Sequence, residues 1–151
     1  MFDPQQFKHL VVEPSLIHLA VVLPGADNSS AVNLLMGTCW HESLGGTYLA
    51  QVGGGPALGV YQMEPATHDD LWENYIDGRP ALASLIGLAD TWRLISDLQY
   101  ATMMARLVYY RQSFDWPDPA DIYGLGKLWK THYNTIHGAG TVDQFVRHYP
   151  K

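Results

Sequence analysis

The sequence predicts a mainly α-helical protein, and three observations predict it. Leu98, Ala101, Ala105 and Val108 recur at helical spacing along one stretch, and a second run, Ala31 to His41, is apolar almost throughout. Side chains that cap helices stand just ahead of these and other apolar runs. Proline and glycine then cut the chain at Pro24-Gly25, Gly53–Pro56, Gly78–Pro80, Pro117–Pro119 and Gly138–Gly140 into pieces of helical length.

Residues Gln5 to Leu23 are expected to form one helix or two, kinked at Pro14, where a backbone donor is missing. They make an outer layer, residues 1–26. Asp27 to Ser30 offer N-cap side chains to Ala31–His41, and a helix apolar nearly all round belongs at the centre of a fold. Residues Thr47 to Met63 carry Gly-Gly-Gly-Pro between short mixed segments, which suits a loop or small β-hairpin. Thr67 with Asp70 reads as a helix start, and Ser96 with Gln99 as the start of a second core helix over Asp97 to Gln112. Asp118-Pro119 fits an N-cap and first helical position for a helix running toward Lys130. Thr141 with Gln144 caps a short last helix in 141–151, which closes the core segment 27–140.

Length and composition narrow the function classes. A chain of 151 residues suits a single domain with a real core, and 47% hydrophobic against 16% charged residues is a globular composition. The net charge of -6, with nine scattered basic residues, speaks against nucleic acid or an anionic membrane as partner. The longest apolar run, Leu10 to Leu23, is broken by Glu13, Pro14 and His18, so no membrane insertion is expected. Lys8 ahead of Ser15–Leu23 mimics an export signal, but Glu13-Pro14 spoils the pattern. The expectation is a protein made in the cytoplasm without a clear export signal. The single cysteine, Cys39, reads as a small buried hydrophobe.

Glu42 carries the first chemical signal. At about 100° per residue it falls within roughly 20° of both Ala31 and Leu35, on the inner face of the apolar helix. Burial disfavours a charged carboxylate, so its pKa rises from about 4.3 toward about 6 or higher and a proton stays available near neutral pH, as a general acid requires. Ser43-Leu44-Gly45-Gly46 ends the helix directly after it, glycine supplying the left-handed stop, so the carboxyl sits at a rim. An ordinary solvated glutamate at a helix end is the plain alternative.

Two later segments add to it. In Gly59-Val60-Tyr61-Gln62-Met63-Glu64-Pro65, Gly59 permits close backbone approach, Gln62 donates and accepts, and Tyr61 and Met63 offer apolar surface to a sugar. In Trp129-Lys130-Thr131-His132-Tyr133-Asn134-Thr135, a phenol and an amide at Tyr133 and Asn134 can orient a carboxyl or bind an acetamido group. A buried strand and a helix-terminating Asn are the structural alternatives.

Glu-Ser at the end of an apolar helix, then Gly-x-Tyr-Gln-Met, then Tyr-Asn near Gly138-Ala139-Gly140, resembles the lytic transglycosylase and goose-type lysozyme family over roughly Leu34 to Gly140, and its small phage-encoded members in particular. The resemblance implies a lysozyme-like fold and Glu42 as catalytic acid, with Ser43 beside it, Gly59 and Gln62 lining a cleft, and Tyr133 and Asn134 supporting acid and substrate. The sequence departs from the family pattern at Val60-Tyr61, at His132 in place of alanine, and at Thr135-Ile136-His137, which separates Asn134 from its glycine.

By this resemblance the substrate is peptidoglycan, cleaved at the β-1,4 bond between N-acetylmuramic acid and N-acetylglucosamine without cofactor or metal. Glu64, just after the cleft segment, is the best candidate for a second carboxylate. Asp69 and Asp70 read as helix-start charges. Hydrolysis and transglycosylation both remain open, as do an endolysin and a virion component in contact with other virion proteins. The rival classes are a non-catalytic virion or glycan-binding protein and a zinc amidase. Against the amidase, Cys39 and His41 diverge on a helix, and no His-Glu-x-x-His signature surrounds His41 or His68.

Overall fold

A computed structural model describes residues 1–135 and 138–151, and they are mainly helical. Helix α1 (Pro4–Phe7) is capped by Asp3 and continues through a π-helical turn (Lys8–Val12) into α2 (Glu13–Ala20). Pro14 therefore interrupts the ladder without ending the helix. It cannot donate to the turn before it, and that turn widens so that Glu13 N–H reaches Lys8 C=O.

Helix α3 (Ser29–Ser43) starts at the Asn28 cap, whose Oδ1 accepts from Ala31 N at 2.8 Å. It is the central helix, with Ala31, Leu34, Leu35 and Cys39 fully buried. It ends with a left-handed residue, but that residue is Leu44 (φ 51°) and not a glycine; Gly45 and Gly46 follow with positive φ as well. Residues 47–63 form the expected irregular region, reduced to single antiparallel bridges at Ala50–Leu58 and Leu58–Met63.

Helix α4 (Pro65–Leu71) begins with Glu64 as N-cap and Pro65 in its first turn, so Thr67 lies inside it and does not start it. Asp69 and Asp70 consequently stand near its C-terminal end, away from the favourable end of the dipole. They pair instead with His68 Nδ1 at 2.9 Å and Arg111 Nη1 at 2.7 Å. A second π-helical turn (Trp72–Ile76) and the short helices α5 (Pro80–Ile86) and α6 (Arg93–Ser96) lead to α7 (Leu98–Tyr110). Asp97, one residue after the expected Ser96, caps α7 by accepting from Tyr100 N. Helix α8 (Ile122–Trp129) is likewise capped by Asp121; Asp118-Pro119 makes the turn before it. A third π-helical turn (Lys130–Asn134) extends α8, and α9 (Val142–His148) opens with the predicted reciprocal Thr141–Gln144 capping box.

The core has two parts. Helices α3, α8 and α9 enclose one around Leu34, Leu35, Trp129 and Phe145, while α2, α4, α5 and α7 contribute to the other around Leu71, Ile76, Met104 and Leu107. Tyr133 packs against both. Among the described residues no helix is long and apolar enough to cross a membrane.

Gly37 sets the closeness of α3 to α9. A Cβ there would lie 2.2 Å from Cζ of Phe145, a fully buried ring stacked on Trp129 at 5.5 Å. Gly37→Val should therefore lower stability by about 2 kcal/mol, since overpacking of a filled core outweighs the helix propensity gained over glycine. Urea unfolding measures it, and an unchanged midpoint would show that Phe145 has room to move.

Candidate active site

The last turn of α3 delivers Glu42 to the wall of a cleft of about 700 Å³. Glu42 Oε1 accepts a 2.8 Å hydrogen bond from the indole Nε1 of Trp129, which is itself fully buried. Burial pushes the Glu42 carboxyl up to about 7, and the Trp129 N–H pulls it partly back by favouring the charged form. A carboxyl with that value is divided between its two protonation states near neutral pH, as an acid that gives up and regains a proton must be.

Trp129 is the residue that sequence reasoning missed. It is the last residue of α8, four positions before Tyr133, and its indole can only donate, which suits a carboxylate partner. The His41 ring lies 4.2 Å from it and Phe145 5.5 Å, so the donor is held by packing. His41 also faces His148, Nδ1 to Nδ1 at 3.1 Å, and burial together with His148 holds its pKa down to about 4. A neutral imidazole is thus packed beside the indole that binds Glu42.

The candidate site residues divide into those on the cleft and those beneath it. Glu42, Gln62, Met63, Glu64, Tyr133 and Asn134 all line it, so the three segments of sequence converge on one cavity. Ser43 lies beneath: its fully buried Oγ donates to Val60 O at 2.7 Å and accepts from Gly46 N at 2.9 Å, tying the helix end to the segment that follows. Tyr61 is also in the core, 1% exposed with its hydroxyl on Thr102, and does not offer its ring to the cleft. Met63 is 2% exposed, so it gives the cleft little apolar surface.

Gly59 does allow a close backbone approach, though the partner is the protein itself. With φ 77°, a Cβ there would lie 1.9 Å from the Leu94 carbonyl oxygen. The Gln62 amide donates back to Gly59 O at 2.8 Å. Tyr133 donates to Tyr61 O at 2.7 Å and stacks on Tyr109, and its phenol is held far above its ordinary pKa, first by burial and then by the charge of Glu42. Asn134 Oδ1 accepts from Lys130 Nζ, which also holds Gly138 O. Neither Tyr133 nor Asn134 hydrogen-bonds Glu42 in this arrangement; Trp129 does. Ile136 and His137, part of the departure from the family spacing, lie outside the described residues.

Glu64 is exposed at the cleft and caps α4 without a side-chain hydrogen bond, and among the described residues nothing pairs with its carboxylate. Among the described residues no three His, Cys, Asp or Glu side chains group as a metal site. Cys39 is fully buried, and burial pushes its thiol up to about 12.

Backbone strain marks the same place. Among the described residues the non-glycine positions with positive φ are Leu44 (51°), Gln62 (47°) and Thr135 (66°), and all three line this cleft. Such conformations cost of order 1 kcal/mol or more each and persist where surrounding structure imposes them, commonly at functional sites. Comparison with known protein families, curated proteins and solved structures returns no match for this chain.

Two outcomes test this geometry. Leu44→Gly should raise stability by about 1 kcal/mol, because glycine adopts the left-handed cap without a Cβ penalty. A loss of stability in thermal unfolding would mean that the half-exposed leucine side chain contributes more than its backbone costs. Glu42, whose folded pKa is raised from 4.5 to about 7, favours folding fully below 4.5 and loses that contribution as pH rises through 7. Glu42→Gln should thus gain on wild type by up to about 3 kcal/mol between pH 4.5 and 8. A constant difference across that range in denaturant titrations would refute the raised pKa.

Proposed function

We propose that this protein is a lysozyme-like enzyme that cleaves the glycan strands of peptidoglycan between N-acetylmuramic acid and N-acetylglucosamine, with Glu42 as general acid. The observation that carries the reading is a carboxyl poised near pH 7 by burial, on the wall of a cleft that also holds Gln62, Tyr133 and Asn134. Those are the residues to which the family resemblance assigns the site.

Glu42 would protonate the glycosidic oxygen while the sugar on the other side of the bond gains oxocarbenium character. Trp129 would stabilise the carboxylate left behind, through the same hydrogen bond that holds it at rest. Gln62 and Asn134 offer amide groups to acetamido and hydroxyl substituents. For the second half of the reaction, Glu64 is the one further carboxylate among the described residues that line the cleft. It would activate water in a hydrolysis, whereas attack by the sugar's own 6-hydroxyl would need no second carboxylate and would leave an anhydro end.

Glu42→Gln should reduce solubilisation of purified peptidoglycan by about 10²–10⁴ with the fold retained. Near-wild-type release of soluble fragments would remove Glu42 from the chemistry, and no release by wild type would favour a glycan-binding or virion structural role. Because the acid must be protonated, turnover should fall as pH rises above about 7. In Trp129→Phe that descending limb should move to higher pH, since the group favouring the charged form is gone. Mass spectrometry of the fragments distinguishes reducing from anhydro ends.

A further inference from the structure

Arg111 is the one arginine or lysine among the described residues that line the cleft. It stands at the end of α7, and its Nη1 donates to Asp70 Oδ2 at 2.7 Å, while Asn74 Nδ2 holds the other oxygen of Asp70 at 2.6 Å. These partners keep the Asp70 carboxyl below the usual carboxylate range. Asp70 therefore orients the guanidinium, yet it engages only one edge of a fork with five N–H donors. No second carboxylate pairs with the group among the described residues, and its Nε is buried without a partner, so the donors open to a ligand are those of the Nη atoms.

The other arginines with described contacts are committed elsewhere. Arg93 pairs with Asp97, Arg106 is buried against the Ala26 carbonyl and Arg79 stacks on Tyr75. In a chain of net charge -6, Arg111 places a permanent cation on the cleft wall, held there by Asp70. Neutral hydroxyl and acetamido groups need only amides, which Gln62 and Asn134 supply. A planar guanidinium that is aimed by one carboxylate and retains free donors matches a second carboxylate, on a ligand.

We infer that Arg111 binds a carboxylate of the muramyl unit, and so selects N-acetylmuramic acid over N-acetylglucosamine, which has none. This rests on the glycan-cleaving reading of the same cleft. The carboxylate is either the lactyl group of the sugar or one borne by a stem peptide joined to it; the chemistry recognised is the same.

The test is calorimetric binding of the Glu42→Gln protein to three soluble glycan strands of equal length. One is stripped of stem peptides and has free lactyl carboxylates, one retains its peptides, and one is stripped with the lactyl carboxyls converted to methylamides. The methylamide strand should bind roughly ten-fold or more weakly than the better carboxylate strand, the usual size of a hydrogen bond to a charged group. Adding Arg111→Gln should erase that difference by weakening the carboxylate strands alone, and Arg111→Lys should restore part of it. Which carboxylate strand binds more tightly identifies the group recognised.

Equal binding of all three strands overturns the inference, as does an Arg111→Gln protein that loses affinity for all alike, the result expected if the Asp70 pair only clamps α4 to α7. The methylamide arm leaves Arg111 intact, so it holds even if the Arg111 variants fold poorly. Failure of the wild type to cleave any strand would overturn the muramidase reading separately, while carboxylate-dependent binding would still stand.

Discussion

The hydrogen bond from the Trp129 indole to the Glu42 carboxyl is the contact on which the site depends. A carboxyl half-buried at an apolar helix end would otherwise have its ionised form suppressed further, since a desolvated charge needs a partner. A full positive charge at that point would pull the pKa in the opposite direction, below neutrality. A neutral donor leaves it near 7. The donor in turn is fixed because α8 packs on α3 and α9, with His41 and Phe145 against the indole.

Around this contact the chain turns sharply several times, and the turns share polar anchors. Ser43 ties the end of α3 to Val60, Tyr133 ties the α8 extension to Tyr61, and Gln62 ties back to Gly59. The segment 59–63 is thereby held between the end of α3 and the α8 extension, with Gly59 pressed on the Leu94 carbonyl. The three strained non-glycine residues, Leu44, Gln62 and Thr135, occupy the surface that this arrangement leaves open. Strain concentrated on one cleft is consistent with a surface shaped for a ligand at the expense of local stability.

Helix type and much of the local punctuation were legible along the chain because they depend on neighbours in sequence. The apolar run of α3, the stripe of α7 and the Thr141–Gln144 box all formed where their patterns placed them. Cap positions failed where two candidates stood close together. Asp97 displaced Ser96, Asp121 displaced Asp118, and Glu64-Pro65 opened α4 ahead of Thr67, so that Asp69 and Asp70 fell near the wrong end for a dipole role and found basic partners. At Pro14, where a kink is expected, a widened π-helical turn accommodates the missing donor.

By itself the sequence determined a mainly helical chain and an inward-facing Glu42 at the end of an apolar helix, because both follow from periodicity and a local stop signal. Only the tertiary structure decided what surrounds that carboxyl. Trp129 lies far from Glu42 along the chain yet supplies its hydrogen bond, while Tyr61, expected as cleft surface, is in the core and Met63 reaches the cleft only as a buried wall residue. Spacing within a segment specifies which face a side chain takes, but which face becomes cleft and which core depends on how distant helices pack. The Arg111–Asp70 pair that brings a cation into the cleft depends on the same packing of α7 and α4, which no local pattern encodes.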